Sequence, residues 1–344
     1  MLSSRYTIES MARITVLTFV IATVAHLAPF IATEALGPTI TFGQSHKFEY
    51  IDLSHTLNNN TIHWLTHKDP VITFTKREKV PRNVTGTNSI NATSPSYWLQ
   101  ADHLELDLHT GTHLDAPVHF SEGKWSVDQI PLERLMNIPL AVVSVKSQVD
   151  KSRSYEASMM DILEHEQKWN MKIPPNALVL FYTGISNSYA SGRDAYYATT
   201  TNDARQGAIP GVHVDAAQFL VQNRSVVGVG IDSASIDNSI HVLGNPMTHE
   251  TLCANNVYII ENVNTNLGRL TNYKPGYAYA SILPIAIEKV SGVPIRLVAT
   301  IDHYNSETAS THSTAHGSNI ETMSHSKHYR SSGSTIGAIL NSER

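Results

Sequence analysis

Residues 109–119 constrain the fold most, because they place three histidines and one aspartate around a glycine and a proline (His-Thr-Gly-Thr-His-Leu-Asp-Ala-Pro-Val-His). In an α-helix, His109 and His113 would share a face, but Asp115 would point away from them. Gly111 and Pro117 also disfavour a helix. In a straight strand, four residues at about 3.3 Å each would put His109 roughly 13 Å from His113. The segment therefore predicts a strand over 103–108 that runs into a sharp bend, which Gly111 permits.

Histidine and carboxylate side chains together suit a borderline divalent metal such as Zn²⁺ or Mn²⁺. The bend would bring His109 and His113 close enough to share one ion. A single histidine pair at this spacing is more often structural than functional. Four potential ligands around a glycine hinge, with Pro117 stiffening the exit, indicate a metal site instead.

The segment resembles the His-x-Gly-Thr-His-x-Asp-x-Pro-x-His signature of the cyclase-like metal-dependent hydrolases, which include bacterial-type kynurenine formamidase and isatin hydrolase. It matches that signature at every fixed position. The resemblance continues through residues 52–54, 123–135, 209–211 and 230–237, ends around 294–298, and covers roughly 48–303. It implies an α/β fold of the swivelling β/β/α type, a single domain with a β-rich core and flanking helices.

The resemblance also points to a histidine and a carboxylate on a later segment, and this chain offers His249 and Glu261. It implies that His109, His113 and Asp115 hold one ion. Asp115, His249 and Glu261 would hold a second, with Asp115 bridging the two. Members of the family have one or two metals, so the number of ions stays open.

The family analogy gives His119 a proton-transfer role, which suits a side chain whose unperturbed pKa lies near neutrality. The alternative is a histidine that orients a ligand. The resemblance implies metal-dependent hydrolysis of a small aromatic amide, with N-formylkynurenine as the expected substrate. Two alternatives remain: a cyclic-amide hydrolase of isatin type, and a secreted binding protein that keeps the metal without turnover.

Three aromatic residues before the motif, Trp64, Tyr97 and Trp98, are candidates for stacking on the substrate ring, although each would equally suit a core. Asp232, Ser233, Ser235 and Asp237 form a polar loop after an apolar strand. This loop would either shape the pocket or support the ligands. Cys253, the single cysteine, rules out an intrachain disulfide and is expected to be a small buried residue.

The N-terminus has the pattern of a secretory signal peptide: Arg5 and Arg13, then an apolar run over 14–25 and small residues up to Gly37. We expect residues 1–36 to be removed and the protein to be secreted. A membrane anchor is the alternative, but His26 and Pro29 interrupt the run, so no stable span is expected after cleavage. Sequons begin at Asn59, Asn83, Asn91 and Asn223, as expected of a glycoprotein.

Residues 38–303 are expected to form the hydrolase domain, with helices over 127–135, 155–169, 213–223 and 247–254 and no clear βαβ regularity. Residues 304–344 are rich in Ser, Thr and His and predict a disordered tail. The net charge of −5 and the lack of a basic run argue against a nucleic-acid partner. The resemblance suggests a homo-oligomer.

Overall fold

A computed structural model of the chain describes residues 48–82 and 96–303. The strands in these ranges are β1 (Phe48–Asp52), β2 (Val71–Pro81), β3 (Ser96–Glu105), β4 (His113–Asp115), β5 (Ile138–Ser144), β6 (Glu156–Ala157), β7 (Leu178–Tyr182), β8 (Gly211–Val212), β9 (Gly228–Ile231), β10 (Tyr258–Glu261), β11 (Ala278–Pro284) and β12 (Gly292–Asp302). The α-helices are α1 (Lys146–Val149), α2 (Met159–Trp169), α3 (Arg193–Tyr197), α4 (Val214–Phe219) and α5 (Met247–Ala254).

The main sheet has the strand order β1-β12-β11-β5-β7-β9-β10-β4, and β4 also pairs with β12. This second pairing closes the sheet into a barrel-like core. The predicted α/β domain with a β-rich core and flanking helices is therefore confirmed. Strand β4, which carries two of the predicted metal ligands, lies where the barrel closes.

Strands β5, β7, β9 and β10 are parallel neighbours, and α2, α4 and α5 lie in the connections between them. The βαβ organisation is thus more regular than the sequence indicated. These helices fall within the helices predicted over 155–169, 213–223 and 247–254, but local periodicity does not show which strands they join side by side. Helix α4 has 6 residues and continues as a π-helical turn, Leu220–Arg224, which weakens the helical periodicity of the segment.

Alternate residues of the central strands supply two apolar cores. Leu178 and Leu180 of β7 face a core that includes Leu140 and Ile260. Val179 and Phe181 face the other core, which the helices cover. Parallel strands that are buried on both faces read as continuous apolar runs. Residues 177–182 are such a run.

Two of the predicted helices differ from those in the structure. Residues 127–135 form two 3₁₀ turns, Val127–Gln129 and Leu132–Arg134, with Pro131 between them. Pro131 has no backbone N–H to donate, so one continuous helix cannot form there. The helix expected over 155–169 begins at Met159, behind a capping box made by Ser158 and Asp161. Helix α5 has the predicted bounds.

Strands β2 and β3 pair with each other as a separate two-stranded ribbon, and most of their residues are exposed. Within the described ranges, no helix is long and apolar enough to cross a membrane. The predicted signal peptide, the sequons at Asn83 and Asn91, and the predicted tail lie outside the described residues. Secretion and the homo-oligomer stay predictions.

Candidate metal centre

The bend predicted at Gly111 is confirmed. Gly111 has a φ of 62°, in the left-handed region that favours glycine, and a Cβ there would lie 2.9 Å from Thr61 Cγ2. The chain leaves β3 at Glu105, four residues before His109, and turns at Gly111 into β4. Pro117 then opens a 3₁₀ turn that ends at His119.

The bend brings the first three predicted ligands together. His109 Nδ1 lies 2.6 Å from Asp115 Oδ1, and His113 Nε2 lies 3.2 Å from the same oxygen. Potential ligand atoms of these three side chains all lie within 4.8 Å of one another. A close approach of the backbone makes room for His109, because a Cβ on Gly292 would lie 2.5 Å from its Cε1.

The second pair of predicted ligands, His249 and Glu261, lies next to the first three. Strand β4 pairs with β10 so that His113 lies opposite Glu261, and His113 Nε2 is 3.5 Å from Glu261 Oε2. His249, near the start of α5, has its Nε2 3.3 Å from Glu261 Oε1 and 3.7 Å from Asp115 Oδ2. All five predicted ligands therefore lie at one site. The assignment of each as a ligand stays a prediction.

Asp115 is central to this arrangement. Its Oδ1 faces His109 and His113, whereas its Oδ2 faces His249. The side chain is 1% exposed, and Oδ2 has no hydrogen-bond partner among the described residues. A buried carboxylate oxygen without a partner is costly unless something else coordinates it. This orphaned oxygen and the mixed histidine and carboxylate donors suit a divalent metal.

Supporting contacts hold two of the histidines in a ligand-like orientation. His249 Nδ1 lies 2.6 Å from Asp237 Oδ2, and His113 Nδ1 lies 2.9 Å from the Gly111 carbonyl. In both histidines Nε2 is the ring atom that faces the carboxylates of Asp115 and Glu261. Metal-binding histidines characteristically engage a carboxylate or a carbonyl through their other ring nitrogen. Of the polar loop over 232–237, Asp237 thus supports a predicted ligand.

Glu261 is also oriented from the backbone, since the Ile236 N–H donates to Glu261 Oε1 at 2.7 Å. His109 Nε2 lies 3.0 Å from Ser291 Oγ. Neither Ser291 nor Gly292 stands out in the sequence. Their role depends on a contact between the start of β12 and the bent segment 109–119, called the metal loop below; Ser291 and His109 are 182 residues apart in the chain.

His119 lies at the same site, and its ring is held by aromatic contacts. Its centroid is 4.2 Å from that of His109 in a stacked arrangement and 4.5 Å from that of Phe120, edge to face. A nitrogen of His119 also lies within 4.8 Å of ligand atoms of Asp115 and His249. The geometry therefore suits either the predicted proton transfer or direct coordination.

The pKa of His119 is shifted in the opposite direction to that of His113. Burial disfavours a charged His113, but the carboxylates of Asp115 and Glu261 outweigh this effect and raise its pKa to about 9. Burial likewise opposes ionisation of Asp115, yet His113 and His109 hold its pKa well below the usual range. For His119, burial dominates and lowers the pKa to about 4. Its imidazole is therefore neutral at physiological pH.

A cavity of about 300 Å³ opens onto these groups. Trp64 and Phe120 line it together with Val242 and Leu243, while the histidines and Glu261 line its polar side. A mostly apolar pocket with a few convergent polar groups is typical of a small-molecule site. Of the three aromatic candidates for stacking, Trp64 lines this cavity. Tyr97 and Trp98 lie on β3, are exposed and do not line this cavity.

Cys253 is fully buried in α5, as predicted for a small core residue. Burial raises the pKa of its thiol to about 12, so the thiol stays protonated and unreactive.

A sequence profile of the family described as "Putative cyclase" matches residues 51–238. The chain belongs to the cyclase family. The matched segment contains the metal loop and Asp237, while His249 and Glu261 lie beyond it. This confirms the family resemblance on which the ligand predictions depend.

Curated cyclase-family relatives have low identity but cover most of the chain. Kynurenine formamidase from Bacillus cereus is 24% identical over 257 residues, which cover 73% of this chain and 96% of that protein. Cyclase-like protein 3 from Oryza sativa is 27% identical over 200 residues, covering 57% and 63% of the two chains. The kynurenine formamidase match supports a hydrolase of the cyclase family.

A solved structure shows the same fold. Isatin hydrolase A from Labrenzia aggregata, bound to benzyl benzoate, superposes with a TM-score of 0.61 at 22% identity. The match covers 81% of this chain and 99% of that one. This chain therefore shares the fold of that structure over most of its length.

Proposed function

We propose that this protein is a metal-dependent hydrolase of an amide C–N bond that acts on the N-formyl group of an aromatic amine, with N-formylkynurenine as its substrate. The observation that carries the proposal is the meeting of five potential metal ligands and a neutral His119 at one cavity. The match to a kynurenine formamidase supports the choice of substrate.

His109, His113, Asp115, His249 and Glu261 would hold one or two divalent ions, Zn²⁺ or Mn²⁺. A bound ion would lower the pKa of a coordinated water from about 15.7 toward 7 and polarise the substrate carbonyl. Of the two sets that lie within reach of one ion, one contains His109, His113 and Asp115, and the other contains Asp115, His119 and His249.

The chain's own residues supply the proton transfer and the binding. His119 would take the proton from the attacking water at its imidazole and deliver it to the departing nitrogen, because burial keeps the imidazole neutral and ready to accept. Water adds across the C–N bond, giving formate and the free aromatic amine. Trp64 and Phe120 would hold the aromatic ring in the apolar part of the cavity.

The test is hydrolysis of N-formylkynurenine by the purified, metal-loaded protein, with and without a chelator. We expect release of formate that the chelator abolishes and added Zn²⁺ or Mn²⁺ restores. Ring opening of isatin without hydrolysis of N-formylkynurenine would replace the proposed substrate with a cyclic amide. Bound metal with no turnover of either compound would contradict the enzyme and favour a small-molecule-binding protein.

A further inference from the structure

Asn262 directly follows Glu261 and lines the cavity, yet it is neither a predicted ligand nor part of the metal loop. The residue is 4% exposed and has a φ of 55°, in the left-handed region. Asparagine tolerates this conformation better than most residues. Residues held in such sparsely populated conformations cluster at functional sites.

Three hydrogen bonds from distant parts of the chain hold Asn262 in place. Its backbone N–H donates to the Ser233 carbonyl at 2.9 Å. Its own carbonyl accepts from Thr112 Oγ1 at 2.7 Å, next to His113 in the metal loop. Its side-chain Oδ1 accepts from the Tyr196 hydroxyl at 3.0 Å. Backbone and side chain are therefore both fixed relative to the metal loop.

The orientation of the amide follows from the third contact. Because Tyr196 occupies Oδ1, the NH₂ group is the polar end of the side chain that is left for a ligand. Asn262 Nδ2 has no hydrogen-bond partner in the described part of the chain. Tyr196 is itself fully buried, so it holds the amide from the core side. The site thus contains a fixed, unused donor beside the predicted metal ligands.

We propose that Asn262 donates a hydrogen bond from Nδ2 to the carbonyl oxygen of the amide that is hydrolysed, and that Tyr196 is its positioning residue. This proposal rests on the proposed function. Negative charge develops on that oxygen when the carbonyl is attacked. A donor already fixed in a cavity stabilises this charge without reorganisation, and removal of one such donor typically lowers kcat by about 10²- to 10³-fold.

The first test is the Asn262→Gly variant. Glycine accepts the left-handed backbone, so the amide is removed without new strain. We expect kcat for N-formylkynurenine to fall by about 100-fold with KM changed less than about threefold, at unchanged metal content. A kcat within about twofold of the wild type would overturn the proposal.

Asn262→Asp tests which end of the amide is used. The Tyr196 hydroxyl also lies 3.2 Å from the Asp232 carbonyl, and donation there would allow the amide to turn its oxygen toward the cavity. Aspartate keeps the acceptor and loses the donor, while it tolerates the same backbone conformation. We expect a loss of kcat at least as large as in Asn262→Gly. Retained kcat would show that the cavity uses an acceptor.

The role of Tyr196 is tested by Tyr196→Phe, with Tyr258→Phe as the matched control. Tyr258 is equally buried, and its hydroxyl donates to the Arg134 carbonyl at 2.8 Å, with no contact to Asn262. We expect kcat to fall about tenfold in Tyr196→Phe and to stay unchanged in Tyr258→Phe. Equal effects in both variants would reduce Tyr196 to a purely structural role.

A measurement without turnover separates this proposal from the proposed function. In the zinc-loaded His119→Ala variant, in which turnover is expected to be very slow, the side-chain NH₂ resonances of Asn262, assigned by their loss when Asn262→Asp is added, should shift on titration with N-formylkynurenine. No shift at saturating ligand would overturn the role of Asn262, whether or not the wild type is active. A shift in this variant together with an inactive wild type would overturn only the proposed hydrolysis.

Discussion

The two halves of the site are held together in different ways. The metal loop supplies His109, His113 and Asp115 from seven consecutive residues, bent at one glycine. His249 and Glu261 come from a helix and a strand, and sheet register and a buried carboxylate bring them to the loop. Local sequence can encode the first arrangement by spacing alone. The second exists only once the barrel has closed.

This difference predicts different responses to substitution. The loop half depends on backbone space, provided by Gly111 and Gly292. The other half depends on hydrogen bonds to buried groups, mainly through Asp237 and the backbone of Ile236. Asp115 belongs to both halves, since its two oxygens face in the two directions. A substitution in one half should therefore weaken metal binding by that half alone, whereas a substitution of Asp115 should weaken both.

The largest effect is expected for Asp115→Ala, because Asp115 contacts both halves. We expect loss of bound metal together with stability, and a fall in kcat of roughly 10⁴-fold. Metal content by elemental analysis and turnover check this directly. Asp150→Ala, which removes an exposed carboxylate paired with Lys146, is the control. Full metal content in Asp115→Ala would contradict its bridging position.

His119→Ala tests whether this residue acts on protons or on metal. We expect kcat to fall by about 10³-fold while metal content stays at the wild-type level, since a positioned acid–base group typically contributes 10²- to 10⁴-fold. Loss of metal in this variant would assign His119 to coordination, in line with its closeness to Asp115 and His249. Normal turnover would exclude both roles.

Asp237→Asn weakens only the half that is assembled by tertiary structure. The His249 ring loses its carboxylate partner but keeps a side chain of the same shape. We expect metal affinity to fall by about 10- to 100-fold, as is typical when such a supporting contact is removed. Metal titration in competition with a chelator measures this change. An unchanged affinity would show that His249 needs no orienting partner.

The smallest effect on activity is expected outside the site, where a buried histidine makes the stability of the protein depend on pH. Burial lowers the pKa of His165, in α2, from 6.5 to about 4. Between these values the unfolded chain takes up a proton at His165 and the folded chain does not, so stability falls as the pH drops from 6.5 to 4. We expect His165→Gln to lessen this fall by up to about 3 kcal/mol, since each unit of pKa shift corresponds to about 1.4 kcal/mol. Chemical unfolding at several pH values tests it, and parallel curves for wild type and variant would contradict the assignment.

The sequence predicted the loop half well, because spacing, the bend at Gly111 and the chemistry of the donors all lie within 109–119. It predicted His249 and Glu261 only through the family resemblance, since neither has a distinctive local context. Ser291, Gly292 and Asn262 could not be identified, because their roles arise from contacts across 150 or more residues. The parallel order of β5, β7, β9 and β10 was missed for a related reason, because strand pairing is a long-range contact that the predicted helices between the strands do not specify.

The most direct test of a shared centre is a crystal structure of the metal-loaded protein with anomalous diffraction recorded at the metal edge. We expect anomalous density about 2.0–2.2 Å from ligand atoms of His109, His113 and Asp115, with His249 or Glu261 around the same ion or a second one bridged by Asp115. Density at another place, or a metal bound by the loop alone with His249 and Glu261 turned away, would contradict the claim that the two halves form one centre.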